Sequence, residues 1–196
     1  MSGAAAPARG RLIVVSGPSG SGKTTICDAL EREYGVEFAT TATTRAPRPG
    51  EKDGVDYFFL SLEEFQRRIA KGEFLEHATV HGQLYGTPRA SVERVLERGG
   101  ICVLEIDTQG AESIRRSGIP HASLFITVPS IAVLEARLAK RPKERGLDLK
   151  TRLERAREEM AMAGRYDHVV TNDDAALERT VAEAAHALGL ERKASA

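Results

Sequence analysis

The sequence predicts an α/β fold with a mainly parallel sheet flanked by helices. Near the N-terminus, an apolar run at residues 12–15 passes through a Gly-rich turn into a stretch whose apolar residues have helical spacing. From residue 101 onward, apolar runs of strand length alternate with amphipathic helices, the order typical of a parallel sheet. Between residues 36 and 80 the alternation breaks, which indicates a small mixed β/α subdomain inserted into the chain.

Local signals predict where the individual elements begin and end. A capping box at residues 61–64 begins a helix that Gly72 ends. Thr87 as N-cap, with Pro88 in the first helical position, begins another that ends at residues 99–100. Further helices are expected at about 23–34, up to 117, 130–140, 151–163 and 175–188, and strands at 36–39, 57–60, 73–80, 101–107, 122–128 and 169–171. Residues 40–56 contain two prolines, two glycines and four threonines, which predict a structured loop.

Composition narrows the classes of partner. The 28 Lys and Arg residues balance the 28 Asp and Glu residues, so no overall field attracts nucleic acid or an anionic membrane. No apolar stretch approaches the roughly 20 residues that span a bilayer. Cys27 and Cys102 lie in predicted core elements, which favours a reduced, cytoplasmic protein. Composition therefore predicts no nucleic-acid or membrane partner. We expect small-molecule partners and a monomer or small homo-oligomer.

The Gly-rich turn has the spacing of a phosphate-binding loop. It fits the pattern G-x-x-x-x-G-K-[ST] and stands between a strand and a helix, as that pattern requires. Backbone N–H groups and the helix N-terminus favour a polyphosphate, Lys23 adds a charge, and the Thr24 hydroxyl is placed to ligate Mg²⁺. The alternative is a Gly-rich turn without a ligand. The residues assigned to a nucleoside triphosphate are Gly17, Pro18, Ser19, Gly20, Ser21, Gly22, Lys23, Thr24 and Thr25.

A second candidate anion site lies in the loop at residues 40–56. Arg45 and Arg48 are three residues apart, and prolines 47 and 49 stiffen the backbone around them. Two such guanidinium groups form a fork for a phosphate, and the Tyr57 and Tyr85 hydroxyls could add donors. A solvated basic loop is the alternative reading of the same spacing.

Several motifs, in order along the chain, resemble those of guanylate kinases. The resemblance is carried by residues 43–51, Gly54, Asp56-Tyr57 and Phe59, and continues through residues 73–76, 85–87, 104–110 and 170–174. It implies transfer of the γ-phosphate of ATP to GMP, and more slowly to dGMP, with Mg²⁺. It also implies a core at about 11–36 and 88–190, a GMP-binding insertion at about 37–87 and a mobile helical lid at about 138–155. The terminal segments 1–10 and 191–196 are predicted to be flexible tails.

The resemblance also implies roles for individual residues. A carboxylate at Glu76 can accept from N1–H and N2–H₂ of guanine, and the alternative reading of Glu76 is a solvent-facing strand residue. Asp107 is placed near the exocyclic amine; its alternative reading is the N-cap of the next helix, and one side chain can serve both functions. Adenine would leave that carboxylate unpaired, so the site would reject it. The acceptor-binding residues that the resemblance implies are Thr41, Arg45, Arg48, Glu51, Tyr57, Glu76, Tyr85, Thr87, Glu105 and Asp107, and the phosphate-stabilising residues are Lys23, Arg45, Arg137, Arg141 and Arg152. Asn172 resembles the family residue beside the donor adenine, and a turn-forming Asn is its alternative reading.

The lid departs from the family pattern. Residues 142–149 replace the glycine and the short acidic and Ser run that usually follow the first lid arginine, so Arg145 is an alternative to Arg141. Two other functions remain open from the sequence. One is a kinase of a phosphorylated ribose, which would have no base edge to match Glu76. The other is a peptide-binding scaffold module, which generally lacks an intact phosphate loop.

Overall fold

A computed structural model describes residues 10–80, 82–140 and 149–193 of the chain. Their strands are β1 (Arg11–Ser16), β2 (Glu37–Phe38), β3 (Ala42–Thr43), β4 (Phe58–Phe59), β5 (Phe74–Val80), β6 (Gln83–Pro88), β7 (Ile101–Glu105), β8 (Ala122–Thr127) and β9 (His168–Thr171). Their α-helices are α1 (Lys23–Tyr34), α2 (Leu62–Ala70), α3 (Arg89–Glu97), α4 (Thr108–Ser117), α5 (Ile131–Lys140), α6 (Leu149–Ala161) and α7 (Leu177–Ala187).

The main sheet has the order β2-β7-β1-β8-β9, and all its strand pairs are parallel. Successive side chains of β1 enter cores on opposite faces: Ile13 and Val15 join one cluster, and Leu12 and Val14 join the other. Strands buried on both faces read as continuous apolar runs, which explains the sequence of β1. The predicted α/β architecture is therefore confirmed.

The inserted segment forms a second sheet with the order β4-β3-β6-β5. Pairing is antiparallel between β3 and β6 and between β5 and β6, and parallel between β3 and β4. Helix α2 packs on this sheet through Phe65, whose ring stacks on Phe74 with centroids 4.4 Å apart. The Ser61 hydroxyl accepts a hydrogen bond from the Glu64 N–H, as the predicted cap requires.

Two features of this sheet differ from the prediction. Strand β3 falls inside the segment predicted as a loop, and β6 was not predicted. Strand β3 forms by pairing with β6, Ala42 opposite Gly86 and Thr43 opposite Tyr85, and β6 also pairs along β5. Neither strand has the apolar and polar alternation that would predict it locally. Thr87 is also not the cap of α3: Pro88 holds the N-cap position, and the Thr87 hydroxyl bonds across the sheet.

Near its end the described chain returns to α1. The backbone N–H of Lys193 donates to the carbonyl of Glu33, and the Lys193 ammonium donates to the carbonyl of Glu31. This contact lies in the segment 191–196 predicted as a flexible tail; the other predicted tail falls almost wholly on residues 1–9, outside the described residues. Within the described ranges, no helix combines the length and the apolar character that a bilayer crossing needs.

Candidate active site

A cleft of about 890 Å³ opens beside the carboxyl ends of β1 and β7. In open α/β sheets, ligands bind at that edge. The lining comprises the Gly-rich loop and the start of α1, the residues that follow β7, one face of α6, and Arg48, Tyr57, Thr79 and Val80 from the insertion. One continuous cleft therefore joins the predicted phosphate loop to the predicted acceptor segment.

The loop between β1 and α1 has the backbone that an anion site requires. Gly17, Gly20 and Gly22 have positive φ values of 145°, 85° and 86°. A side chain at Gly17 would meet the carbonyl oxygen of Ile126 at 2.1 Å, so only glycine allows this approach to β8. Helix α1 begins directly after Gly22 and has no side-chain cap, which leaves its N-terminal end to be satisfied by a ligand.

Lys23 and Thr24, the first residues of α1, have contacts that are consistent with a phosphate and metal site. The Lys23 ammonium donates to the carbonyls of Gly17 (2.6 Å) and Pro18 (3.0 Å) and so lies folded over the loop. The Thr24 hydroxyl donates to a Glu105 carboxylate oxygen at 2.7 Å. Glu105 ends β7 and lies opposite Val15 of β1, so strand register places it beside the loop. A hydroxyl and a carboxylate together are oxygen ligands of the kind that Mg²⁺ takes.

Arg45 is held in place by a carboxylate and an aromatic ring. Its guanidinium donates to Glu51 at 2.9 Å and lies 5.4 Å from the centroid of the Tyr57 ring. The Glu51 hydrogen bond, with a smaller contribution from Tyr85, raises the pKa of Arg45. Glu51 also accepts from the backbone N–H of Arg48. Glu51 therefore orients the loop that carries both arginines. Of the predicted pair, Arg45 is held by Glu51, and Arg48 lines the cleft.

Glu76 lies where the second sheet meets the main domain. It is 7% exposed, and one carboxylate oxygen accepts from the Thr87 hydroxyl at 2.7 Å. Burial raises the pKa of Glu76 to about 7, with Asp107 acting in the same direction and the Thr87 bond opposing it. The other oxygen faces Gly110 in the first turn of α4, where an added Cβ would stand 3.0 Å away. Glu76 is therefore a buried carboxylate with one oxygen hydrogen-bonded to Thr87 and the other beside Gly110.

Asp107 combines two functions at the same place. Its side chain caps α4 by accepting from the Gly110 N–H at 2.8 Å, as the alternative reading of this residue predicted. It also lines the cleft. Thr41 lies half-buried just before β3, and its carbonyl accepts from the Phe58 N–H. The structure therefore brings Glu76, Thr87 and Asp107 together at one junction.

Comparison with known proteins identifies the family of this chain. The family model described as "Guanylate kinase" matches residues 9–189. The chain belongs to the guanylate kinase family. It is 47% identical over 167 residues to the guanylate kinase of Clostridium perfringens (strain SM101 / Type A), covering 85% of this chain and 77% of that protein. It is 48% identical over 176 residues to that of Symbiobacterium thermophilum, covering 89% and 82% respectively.

A solved guanylate kinase shares the fold. The crystal structure of the guanylate kinase from Anaplasma phagocytophilum matches with a TM-score of 0.73 and 34% sequence identity, covering 93% of this chain and 86% of that one. The family predicted from the sequence motifs is thereby confirmed.

Two residues predicted to touch the donor nucleotide contact the loop itself in this guanylate kinase domain. The Arg137 guanidinium donates to the carbonyls of Gly20 (3.2 Å), Ser21 (3.3 Å) and Asn172 (3.0 Å). The Asn172 side-chain amide donates to the Ser21 carbonyl at 2.7 Å. Neither residue is among those that line the cleft.

Helix α6 provides the wall that sequence reasoning covered least. Arg152, which was predicted, is 8% exposed, donates to the Leu138 carbonyl and lines the cleft. Arg155 and Glu159 line it as well and were not predicted, although their spacing from Arg152 on a helix would have placed them on the same face. Burial raises the pKa of Glu159, whose carboxylate accepts a hydrogen bond from the Ser19 backbone. Arg141 and the alternative Arg145 lie outside the described residues.

Proposed function

We propose that this chain transfers the γ-phosphate of ATP to GMP, and to dGMP, producing ADP and GDP. The observation that carries the proposal is a cleft lined by the intact phosphate loop, by Arg48 and Tyr57 of the insertion and by Asp107, beside which the buried Glu76 lies. Family membership supports the same reaction. The three sequence regions are proposed as a core, an insertion at about 37–87 that binds the acceptor, and a lid at about 138–155.

Glu76 is the proposed reader of the base. Guanine presents N1–H and N2–H₂ on one edge, and a carboxylate can accept from both. Thr87, on the neighbouring strand β6, donates a hydrogen bond to one oxygen of Glu76 and so fixes the orientation of the carboxylate. Adenine has an acceptor at N1 and would leave a buried carboxylate unpaired, which is why AMP is expected to be a poor acceptor. Asp107 is proposed to receive the exocyclic amine, and Thr41 is proposed to serve the polar edge of the base.

The phosphate of the acceptor is assigned to the arginine loop. Arg45 is held by Glu51 and Tyr57, so little side-chain freedom is lost when it binds an anion. Arg48, Tyr57 and Tyr85 are proposed as further partners of the same phosphate. The ribose of GMP would span from this loop to the base pocket at Glu76.

The transfer requires no general base in this proposal. The second pKa of a nucleotide phosphate is about 6, so the attacking oxygen is already ionised at neutral pH. The chain's contribution is to align the two phosphates and to neutralise charge on the transferred group. Lys23, which folds over the loop, is proposed to follow the transferred phosphoryl group. Arg152 is proposed to approach the phosphates from α6. Arg141 is proposed to contact the phosphates as well, on the basis of the sequence alone.

Mg²⁺ is proposed as the metal that accompanies ATP. The Thr24 hydroxyl and the Glu105 carboxylate, 2.7 Å apart, would hold it, the carboxylate directly or through a water. Bound between these two residues, Mg²⁺ would supply positive charge that offsets the charge of the phosphates. Oligomeric state and the cytoplasmic location remain predictions from the sequence.

A panel of nucleoside monophosphates tests the proposal. Purified protein with ATP and Mg²⁺ is assayed for ADP release with GMP, dGMP, AMP, UMP and ribose bisphosphate. We expect release with GMP and dGMP only. Release with ribose bisphosphate and none with GMP would favour the sugar kinase, and a silent calorimetric titration with ATP would favour the scaffold module. Glu76→Gln serves as the matched variant, and it should raise KM for GMP far more than KM for ATP.

A further inference from the structure

We propose that Asn172 is a positioning residue which, together with Arg137, holds the phosphate loop from behind in its binding conformation. We refer to Arg137 and Asn172 as the loop clamp. The inference rests on the proposed function, because it takes the loop to be the site of the donor triphosphate. It departs from the expectation that Asn172 serves the adenine ring.

Asn172 is fixed to the main sheet at one end and to the loop at the other. It directly follows β9, its backbone N–H donates to the Thr127 carbonyl at 2.8 Å, and the residue is 4% exposed. Its side-chain amide donates to the Ser21 carbonyl at 2.7 Å. Asn172 therefore connects the loop, through a hydrogen bond, to the main sheet.

Arg137 closes the arrangement from α5. Its guanidinium donates to the carbonyls of Gly20 and Ser21 in the loop and to the backbone carbonyl of Asn172. Its planar fork can hold several acceptors at once in a fixed geometry. Three separate segments, the loop, α5 and the end of β9, are thereby joined through two side chains.

The clamp sets the direction of a loop N–H group. In a trans peptide the C=O and the N–H point in opposite directions, and the bond between them does not rotate freely. The Ser21 carbonyl accepts from Asn172 and Arg137, neither of which lines the cleft, so the Gly22 N–H of the same peptide points the opposite way. Gly20 and Gly22 both line the cleft. A loop of glycines is otherwise free to turn such a peptide over, since glycine tolerates both signs of φ.

Packing supports the same function for Asn172. An added Cβ at Gly22 would stand 2.2 Å from the Asn172 amide nitrogen, so the side chain lies directly against the backbone of the loop. Gly22 itself has a φ of 86°. The contact with Asn172 and the positive φ thus each require glycine at this position of the loop.

Ligands with and without a base separate the clamp from an adenine contact. We compare the dissociation constants of ATP, inorganic tripolyphosphate and GMP, each with Mg²⁺, for the wild type and Asn172→Ala. The clamp predicts that ATP and tripolyphosphate weaken by the same factor, about tenfold for the loss of one buried hydrogen bond, while GMP binding is unchanged. Asp173→Asn, at the neighbouring position, is the matched control and should bind both donors as the wild type does.

Arg137→Lys is the second variant, and it preserves the positive charge while removing the fork. It should also weaken ATP and tripolyphosphate equally, and it keeps the inference testable if Asn172→Ala does not fold. Weaker ATP with unchanged tripolyphosphate for Asn172→Ala would show a base contact and overturn the clamp. Unchanged affinities in both variants would overturn it as well. A wild type that binds neither donor would overturn the proposed function, and the clamp with it.

Discussion

Acidification should weaken GMP binding through Glu76 more than through any change in the substrate. The carboxyl is 7% exposed, and its burial raises the pKa of Glu76 to about 7. Without GMP it is therefore about half protonated at neutral pH. The ionised form is the one that can accept from N1–H and N2–H₂ together, because a protonated carboxyl has lost an acceptor site. GMP should accordingly bind the ionised fraction of the enzyme.

The size of the effect follows from that fraction. With a pKa of about 7, about nine-tenths of Glu76 is ionised at pH 8 and about one-tenth at pH 6. An apparent dissociation constant rises in inverse proportion to the binding-competent fraction. The Kd for GMP should therefore rise about tenfold between pH 8 and pH 6 from this group alone, or about 1.4 kcal/mol.

Calorimetric titration with GMP at several pH values measures this rise, and Glu76→Gln supplies the control. The phosphate of GMP itself titrates near pH 6, and that contribution is the same in both proteins. We therefore expect the ratio of the Kd of the variant to that of the wild type to fall about tenfold from pH 8 to pH 6. A ratio that stays constant would refute the reasoning, because it would mean that the ionisation of Glu76 does not limit GMP binding.

Three further substitutions test other parts of the cleft. Arg45→Ala should raise KM for GMP by about tenfold to a hundredfold with little change in KM for ATP, as steady-state kinetics would show, since it removes a charged partner of the acceptor phosphate; equal changes in both would contradict this. Glu105→Gln should increase the Mg²⁺ concentration for half-maximal rate by about tenfold, measured by metal titration at saturating ATP, with an unaltered requirement arguing against a metal function. Glu159→Gln should tighten ATP binding severalfold in calorimetry, because its carboxylate bonds to the Ser19 backbone where phosphates are proposed to lie, and weaker binding would count against that reasoning.

The sequence predicted those parts of the fold that have a local signal. The phosphate loop could be found because its glycines are needed at fixed spacing, and all of them have positive φ. Asp107 was predicted both as a cap and as a site residue because it directly follows a buried strand. The alternation of strands and helices after residue 101 sufficed for the parallel sheet.

Features that depend on partners distant in sequence were missed. Strand β3 has two residues, Ala42 and Thr43, and it is defined by pairing with β6 more than forty residues later. Thr87 had the sequence of an N-cap, but Glu76 across the sheet competes for its hydroxyl, and a buried charge-assisted bond outweighs an exposed cap.

The position of Asn172 illustrates a different limit of sequence reasoning. A resemblance to a family predicts that a residue lies near a ligand, but it does not predict which atoms the side chain contacts. That depended on the approach of the β9 end to Gly22, which no spacing in the chain encodes.

The junction at Gly110 has a consequence for engineering acceptor preference. Glu76 belongs to β5 in the insertion, whereas Asp107 and Gly110 belong to the start of α4 and so to the main domain. Consider a chimera that receives only the insertion of an enzyme with another nucleobase preference. Its base pocket would combine the foreign residue at position 76 with the original Asp107 and Gly110. Redesign of the base preference should therefore exchange the first turn of α4 together with residues 37–87, as one transplanted unit.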